Sequence, residues 1–230
     1  MESGRIDKHL FINEDKVKRI AIISHSVCFP REDSELSQIY PKLLQKKTGC
    51  DLTLLGIGGG DIRLFTDQFK RIREFVDIVI LDFGINDAIP RALKNYEIYL
   101  MSELGIELPN QLNVYLRKFR KITHTKEKKF LSLCTSIYHH QKGYEISLKN
   151  LNETTLIVLP IAPISRKIES THPGATLNIN RFNEIFRRIF ADYFLETKLQ
   201  SELHLNSDGI HLNSEGHFET YKALRSIFEK

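Results

Sequence analysis

Short apolar runs rich in β-branched residues alternate along this chain with longer stretches whose apolar residues recur at helical spacing. The run Arg19-Ile20-Ala21-Ile22-Ile23 predicts a buried strand that ends in small polar residues. A helix over about 35–47 follows, closed by Gly49. The run Asp51-Leu52-Thr53-Leu54-Leu55 predicts a second strand leading into Gly56-Ile57-Gly58-Gly59-Gly60. Residues 62–75 have helical periodicity with a basic outer face, and 76–81 form a third strand ending at Asp82-Phe83-Gly84-Ile85-Asn86-Asp87. Another strand over 155–159 is stopped by Pro160 and Pro163. An apolar stripe of Ile179, Phe182, Ile185, Phe186, Ile189 and Phe190 predicts a helix over 178–193, and a last helix covers 214–228.

Strand–helix alternation of this kind predicts an α/β fold, a three-layer α/β/α sandwich around a central, mainly parallel sheet. In such sheets the functional loops lie at the C-terminal strand ends, where the polar and glycine-rich residues of this chain fall. Residues 88–153 are too long for one crossover helix. We read them as two or more helices, over about 96–104 and 109–122, plus a variable insertion. The expected organisation is one domain over 1–230 with a helical or cap segment inserted at about 91–152.

Composition narrows the class. The 230 residues are 41% hydrophobic and 27% charged, which suits an ordinary soluble globular protein with a full-sized core. No apolar stretch near Met1 reads as a signal peptide, and no run is long enough to cross a bilayer. Cys28, Cys50 and Cys134 are too few and too scattered for a disulfide framework or a cysteine zinc site. A cytoplasmic, reducing location is expected. The net charge of +4 permits acidic ligands without demanding nucleic acid. The basic run from Arg117 to Lys129 reads either as a solvated helix face or as a patch for an anionic ligand or membrane surface.

Candidate chemistry gathers at the strand ends. In Ser24-His25-Ser26, a serine on a strand-to-helix turn can present its hydroxyl, as a nucleophile requires, although serines also end strands as turn formers or caps. Cys28 is a rival nucleophile or a small buried hydrophobe. The glycine run can bring backbone N–H groups close to a developing oxyanion. A dinucleotide reading of that run is disfavoured, because Asp61 occupies the third fingerprint position and the run follows the second strand. Asn86 is a candidate side-chain oxyanion donor or a turn residue capping the next helix. His139 and His140 have no acidic partner at ligand spacing, so no metal is expected. Near the C-terminus, Asp208-Gly209-Ile210-His211 sets a carboxylate three residues before an imidazole, the orienting half of a hydrolytic triad.

This ordered set resembles the SGNH hydrolase superfamily of GDSL-type esterases. The resemblance rests on Ile22-Ile23-Ser24-His25-Ser26, Gly58-Gly59-Gly60-Asp61, Gly84-Ile85-Asn86-Asp87 and Asp208-Gly209-Ile210-His211, with Asn213, Gly216 and the Phe182-Asn183 pair. It covers most of the chain except roughly 91–152. It implies that Ser26 is the nucleophile, His211 its general base and Asp208 the residue orienting His211. The implied oxyanion donors are the Ser26 N–H, the Gly60 N–H and the Asn86 side chain, with His25, Gly59 and Asp87 as possible modulators. Two departures stand out. The family's G-D-S is Ser24-His25-Ser26 here, and its second block usually begins with asparagine where this chain has Leu55 or Gly56. The implied function is serine-dependent hydrolysis of a small or carbohydrate acyl ester, of deacylase or deacetylase type, without cofactor or metal. The alternatives are an acyltransferase of polysaccharide or envelope biosynthesis on the same site, and a catalytically weakened binding protein of the same fold.

Overall fold

The computed structural model describes residues 18–56, 58–90, 100–107, 109, 111–112, 115–116, 124–147 and 155–228. Four parallel strands, β1 (Arg19–Ser24), β2 (Asp51–Gly56), β3 (Ile78–Asp82) and β4 (Thr155–Val158), lie in the order β2-β1-β3-β4. β1 and β3 occupy the middle of the sheet, and this explains their unbroken apolar runs: Ile20 to Ile23 and Val79 to Leu81 are fully buried. β2 lies at an edge and is half exposed along its length. Beyond β4 the backbone of Phe194 bridges in parallel to Val158, extending the sheet by a single pairing.

Helices α1 (Tyr40–Thr48), α2 (Ile62–Ile72), α3 (Ile85–Ala88), α4 (His124–Ser147), α5 (Arg166–Thr171), α6 (Ala175–Ile189) and α7 (Ser214–Phe228) flank this sheet. α1 packs on α7, while α2, α4 and α6 pack in succession. The second group is held by an aromatic cluster: Phe130 stacks on Phe182 with ring centroids 4.0 Å apart, and Phe83 meets both Phe65 and Phe186. Phe83 follows β3 directly, so the cluster supports the loop that carries Asn86.

Several boundaries differ from the sequence expectation. The helix expected over 35–47 is a 3-10 turn, Leu36–Gln38, followed by α1, because Pro41 fits only the first helical turn. Gly49 ends α1 in the left-handed region, as its position predicts. The 62–75 helix stops at Ile72 and tightens to a 3-10 turn over Arg73–Phe75. The helix expected over 178–193 runs from Ala175 to Ile189, and α5 was not anticipated.

The largest correction is α4, which the variable-insertion reading did not contain. Its inward stripe is Phe130, Cys134, Ile137 and Gln141, at helical spacing but with only two strongly apolar members. Gln141 is buried because its Oε1 accepts a hydrogen bond from Nε of the fully buried Arg73 at 2.6 Å. The expected helices fall mostly outside the described residues, although 100–103, 111–112 and 115–116 are helical. Of the basic run, Arg117 to Lys121 lies outside the described residues, and Lys128 and Lys129 are exposed at the start of α4. Among the described residues no helix is long and apolar enough to cross a membrane.

Candidate active site

Sheet register brings three loops to one level. Ser24, the last residue of β1, pairs with Gly56 at the end of β2 and with Asp82 at the end of β3. Ser26, the glycine run and Gly84-Ile85-Asn86 therefore begin within a few residues of a common line. β1 is also where the strand order reverses, so these loops border the crevice in which open α/β sheets hold ligands.

Beneath this line is a buried polar cluster that sequence reasoning missed. Asp82 accepts hydrogen bonds from the Ser24 hydroxyl at 2.9 Å and the Tyr40 hydroxyl at 2.8 Å. Burial and the neighbouring Asp82 charge push the Tyr40 phenol well above its usual range, so it stays a donor. The signal available in the sequence was weak: one acidic residue ending an apolar run.

Ser26 opens a 3-10 turn, Ser26–Cys28, and His25 caps it: the His25 Nδ1 accepts the Val27 N–H at 3.2 Å. Accepting at Nδ1 leaves the proton on Nε2. Burial pushes the His25 pKa down; the Asp82 charge opposes this and His211 adds to it. The residue beside Ser26 is thus a neutral cap. Cys28 is fully buried, and burial pushes its thiol up to about 12, which removes it as a rival nucleophile.

The Ser26 Oγ is 2.8 Å from Nε2 of His211, across 185 residues of sequence. The His211 Nδ1 lies 2.5 Å from the Asp208 Oδ2. The other Asp208 oxygen accepts the N–H groups of Ile210 at 2.9 Å and His211 at 3.0 Å. Partial burial would raise the Asp208 carboxyl, but these N–H groups and the imidazole hold it below the usual carboxylate range. Gly209 makes the turn feasible. Its φ is +75°, and a Cβ there would come within 2.0 Å of the Ser165 Oγ. The Ser165 N–H in turn donates to the Gly209 carbonyl at 3.0 Å, tying the turn to the loop after β4. Asn213, two residues past His211, donates through its amide to the carbonyls of Leu203 and Leu205.

The loops after β2 and β3 are bonded to each other. The Asn86 Nδ2 donates to the Gly60 carbonyl at 3.1 Å, and the Ile62 N–H donates to the Asp87 Oδ2 at 3.0 Å. Asp87 therefore helps to cap α2, together with Asp61, which accepts the Arg63 N–H. One Asn86 amide hydrogen is used on Gly60, and a primary amide has a second. Gly84 needs its glycine: φ is +107°, and a Cβ would press on the Ile161 side chain at 2.7 Å. Gly59 is an exposed left-handed turn residue. Asn183 grips the Ile161 backbone through both its amide oxygen and nitrogen.

A residue with no motif to announce it completes the picture. The Arg31 Nη2 is 3.0 Å from Nε2 of His211. Guanidinium only donates, and the ionised Asp208 only accepts. Together they fix the neutral imidazole with its proton on Nδ1 and its lone pair on Nε2, facing Ser26. Among the described residues no group of side chains could hold a metal ion, and His139 and His140 sit on α4, with His140 edge-on to Phe69. A cleft of about 410 Å³ opens between Pro160 to Arg166 and Leu199 to Ser201, but Ser26, Asn86, Asp208 and His211 do not line it.

No protein-family model and no curated protein sequence matches the chain. Solved structures do. An acetylxylan esterase from Geobacillus stearothermophilus superposes with a TM-score of 0.55 at 14% identity, covering 90% of this chain and 92% of that one. A GDSL-like lipase from Bacteroides thetaiotaomicron gives 0.54 at 14% identity over 92% and 88% of the two chains. An alpha/beta hydrolase from the metagenome of Lake Arreo, Spain, gives 0.54 at 16% identity over 91% and 94%. The chain has the fold of the GDSL-type, or SGNH, hydrolases.

Proposed function

We propose that this chain is a serine ester hydrolase of the SGNH type, acting on a small or carbohydrate acyl ester. The observation that carries the reading is the continuous contact from the Ser26 Oγ through His211 to Asp208, at 2.8 and 2.5 Å, assembled from opposite ends of the sequence. His211, with its lone pair on Nε2, takes the Ser26 proton as the oxygen attacks the ester carbonyl. Asp208 then faces the imidazolium through Nδ1 and stabilises it. The developing oxyanion is met by the Ser26 N–H, the Gly60 N–H and the second Asn86 amide hydrogen, donors held in place before substrate arrives. His211 returns the proton to the leaving alcohol, and a water activated by the same base releases the acid from the acyl-enzyme.

The fold shared with an acetylxylan esterase and a GDSL-like lipase supports ester chemistry. Its carbohydrate branch makes a small O-acetyl ester the first substrate to try. A fluorophosphonate label followed by peptide mapping tests the nucleophile without a known substrate. The expected result is label on Ser26, loss of label in Ser26→Ala, and loss of p-nitrophenyl acetate turnover in the same variant. Undiminished turnover in folded Ser26→Ala would sink the proposal.

A further inference from the structure

Arg31 occupies a position that the proposed ester chemistry alone does not explain. Its guanidinium donates to the one lone pair that the Ser26 hydroxyl must also use. Proton transfer to His211 would leave an imidazolium facing a guanidinium at hydrogen-bond distance. That arrangement opposes turnover while Arg31 stays on Nε2, and a negative group on the substrate would engage this exposed guanidinium and hold it off that nitrogen. Among the described residues Arg31 forms no ion pair.

The backbone that carries the arginine is braced. The Arg31 N–H donates to the buried Ser34 hydroxyl at 3.1 Å, and the Ser34 N–H returns to the Arg31 carbonyl at 2.9 Å. The Ser214 hydroxyl, at the start of α7 and three residues past His211, donates to the Asp33 carbonyl at 2.8 Å and touches Gln38 Oε1 at 3.1 Å. The loop carrying Arg31 is thereby latched to the segment carrying His211. A planar donor fork on a braced turn, without an ion pair of its own, is built to receive a carboxylate or phosphate.

We infer that Arg31 is a specificity-determining residue that selects acyl esters bearing an anionic group, carboxylate or phosphate, beside the scissile ester. This rests on the ester-hydrolase reading and deepens it: the substrate class becomes O-acylated sugar acids or polyol phosphates. Three acetates on one skeleton test it: acetylglycerol, O-acetylglycerate and acetylglycerol phosphate. Arg31→Gln frees the His211 lone pair but removes the anion partner. The ratio of kcat/KM for the anionic over the neutral acetate should fall at least about tenfold, the size expected for one charge-assisted contact, with acetylglycerol turnover rising. The larger fall identifies carboxylate or phosphate as the preferred group. A ratio changed less than about threefold for both anionic esters overturns the inference.

Calorimetry separates this outcome from failure of the esterase reading. Ser26→Ala should bind O-acetylglycerate or acetylglycerol phosphate at least about tenfold more tightly than Ser26→Ala/Arg31→Gln. Equal affinities overturn the anion site even if turnover persists. That affinity difference in a wild-type protein that hydrolyses none of the three acetates sustains the anion site and overturns the esterase reading instead.

Discussion

His217 should make the fold acid-sensitive in a way that can be assigned to one side chain. It lies in the first turn of α7, fully buried, with a ring centroid 6.0 Å from that of Tyr40. Neither ring nitrogen has a hydrogen-bond partner among the described residues. Burial, helped by repulsion from the His211 ring where both rings carry a proton, lowers its pKa to about 4. In the unfolded chain an imidazole titrates near ~6.5. Because the folded value is depressed, the fold holds the neutral ring, and the unfolded state takes the proton first as pH falls. The stability is intact above ~6.5 and is lost as pH drops toward about 4, after which the loss levels off. A shift of ~2.5 units corresponds to ~3.4 kcal/mol in full, and at pH ~5 the linkage relation gives ~2 kcal/mol. Urea unfolding at pH ~8 and ~5 measures it, comparing the wild type with His217→Phe, which keeps a ring but cannot take a proton. His25 and His140 are also shifted down, but they are present in both proteins and cancel in the difference. The wild type should lose ~2 kcal/mol more than the variant between the two pH values. Parallel losses would refute the assignment.

Two further outcomes follow from the site. Asp208→Asn keeps an oxygen for the Ile210 and His211 N–H groups but cannot stabilise an imidazolium, so kcat on p-nitrophenyl acetate should fall by about 10³- to 10⁴-fold with little change in melting temperature; a fall of less than about tenfold would contradict the role given to Asp208. His25→Asp restores the family's residue but buries a second carboxylate near Asp82, so urea unfolding should show a loss of about 1–3 kcal/mol. In an Asp82→Asn background that loss should shrink by at least about 0.5 kcal/mol, and strict additivity would show that the two positions do not interact.

The strand pattern was legible because it depends on burial. β1 and β3 are covered on both faces, and only continuous apolar runs survive there. The candidate stations were legible for a related reason: parallel sheets send their loops to one edge, and of the polar residues collected there Ser26, His211 and Asp208 are in contact. α4 was illegible because its inward stripe includes Cys134 and Gln141, and Gln141 is buried only through Arg73, 68 positions away. Arg31 was illegible because its contact with His211, 180 positions away, exists only after the chain has folded.

The altered Ser24-His25-Ser26 block lies against the buried Asp82. The residue before Ser26 must cap the turn by accepting the Val27 N–H, and a carboxylate or an imidazole nitrogen can do so. Here the floor of the site already holds a carboxylate, Asp82, with only 6% of its surface exposed. A second charge on the neighbouring residue 25, whose backbone N–H meets the Asp82 carbonyl, would repel the first in a poorly solvated space. His25 supplies the acceptor without the charge, and Ser24 supplies a hydroxyl that donates to Asp82 where a glycine could not. Ser24 and His25, the two altered residues of this block, therefore both suit one buried acid. They change how the Ser26 turn is held, while the 2.8 Å contact between Ser26 and His211 is left intact.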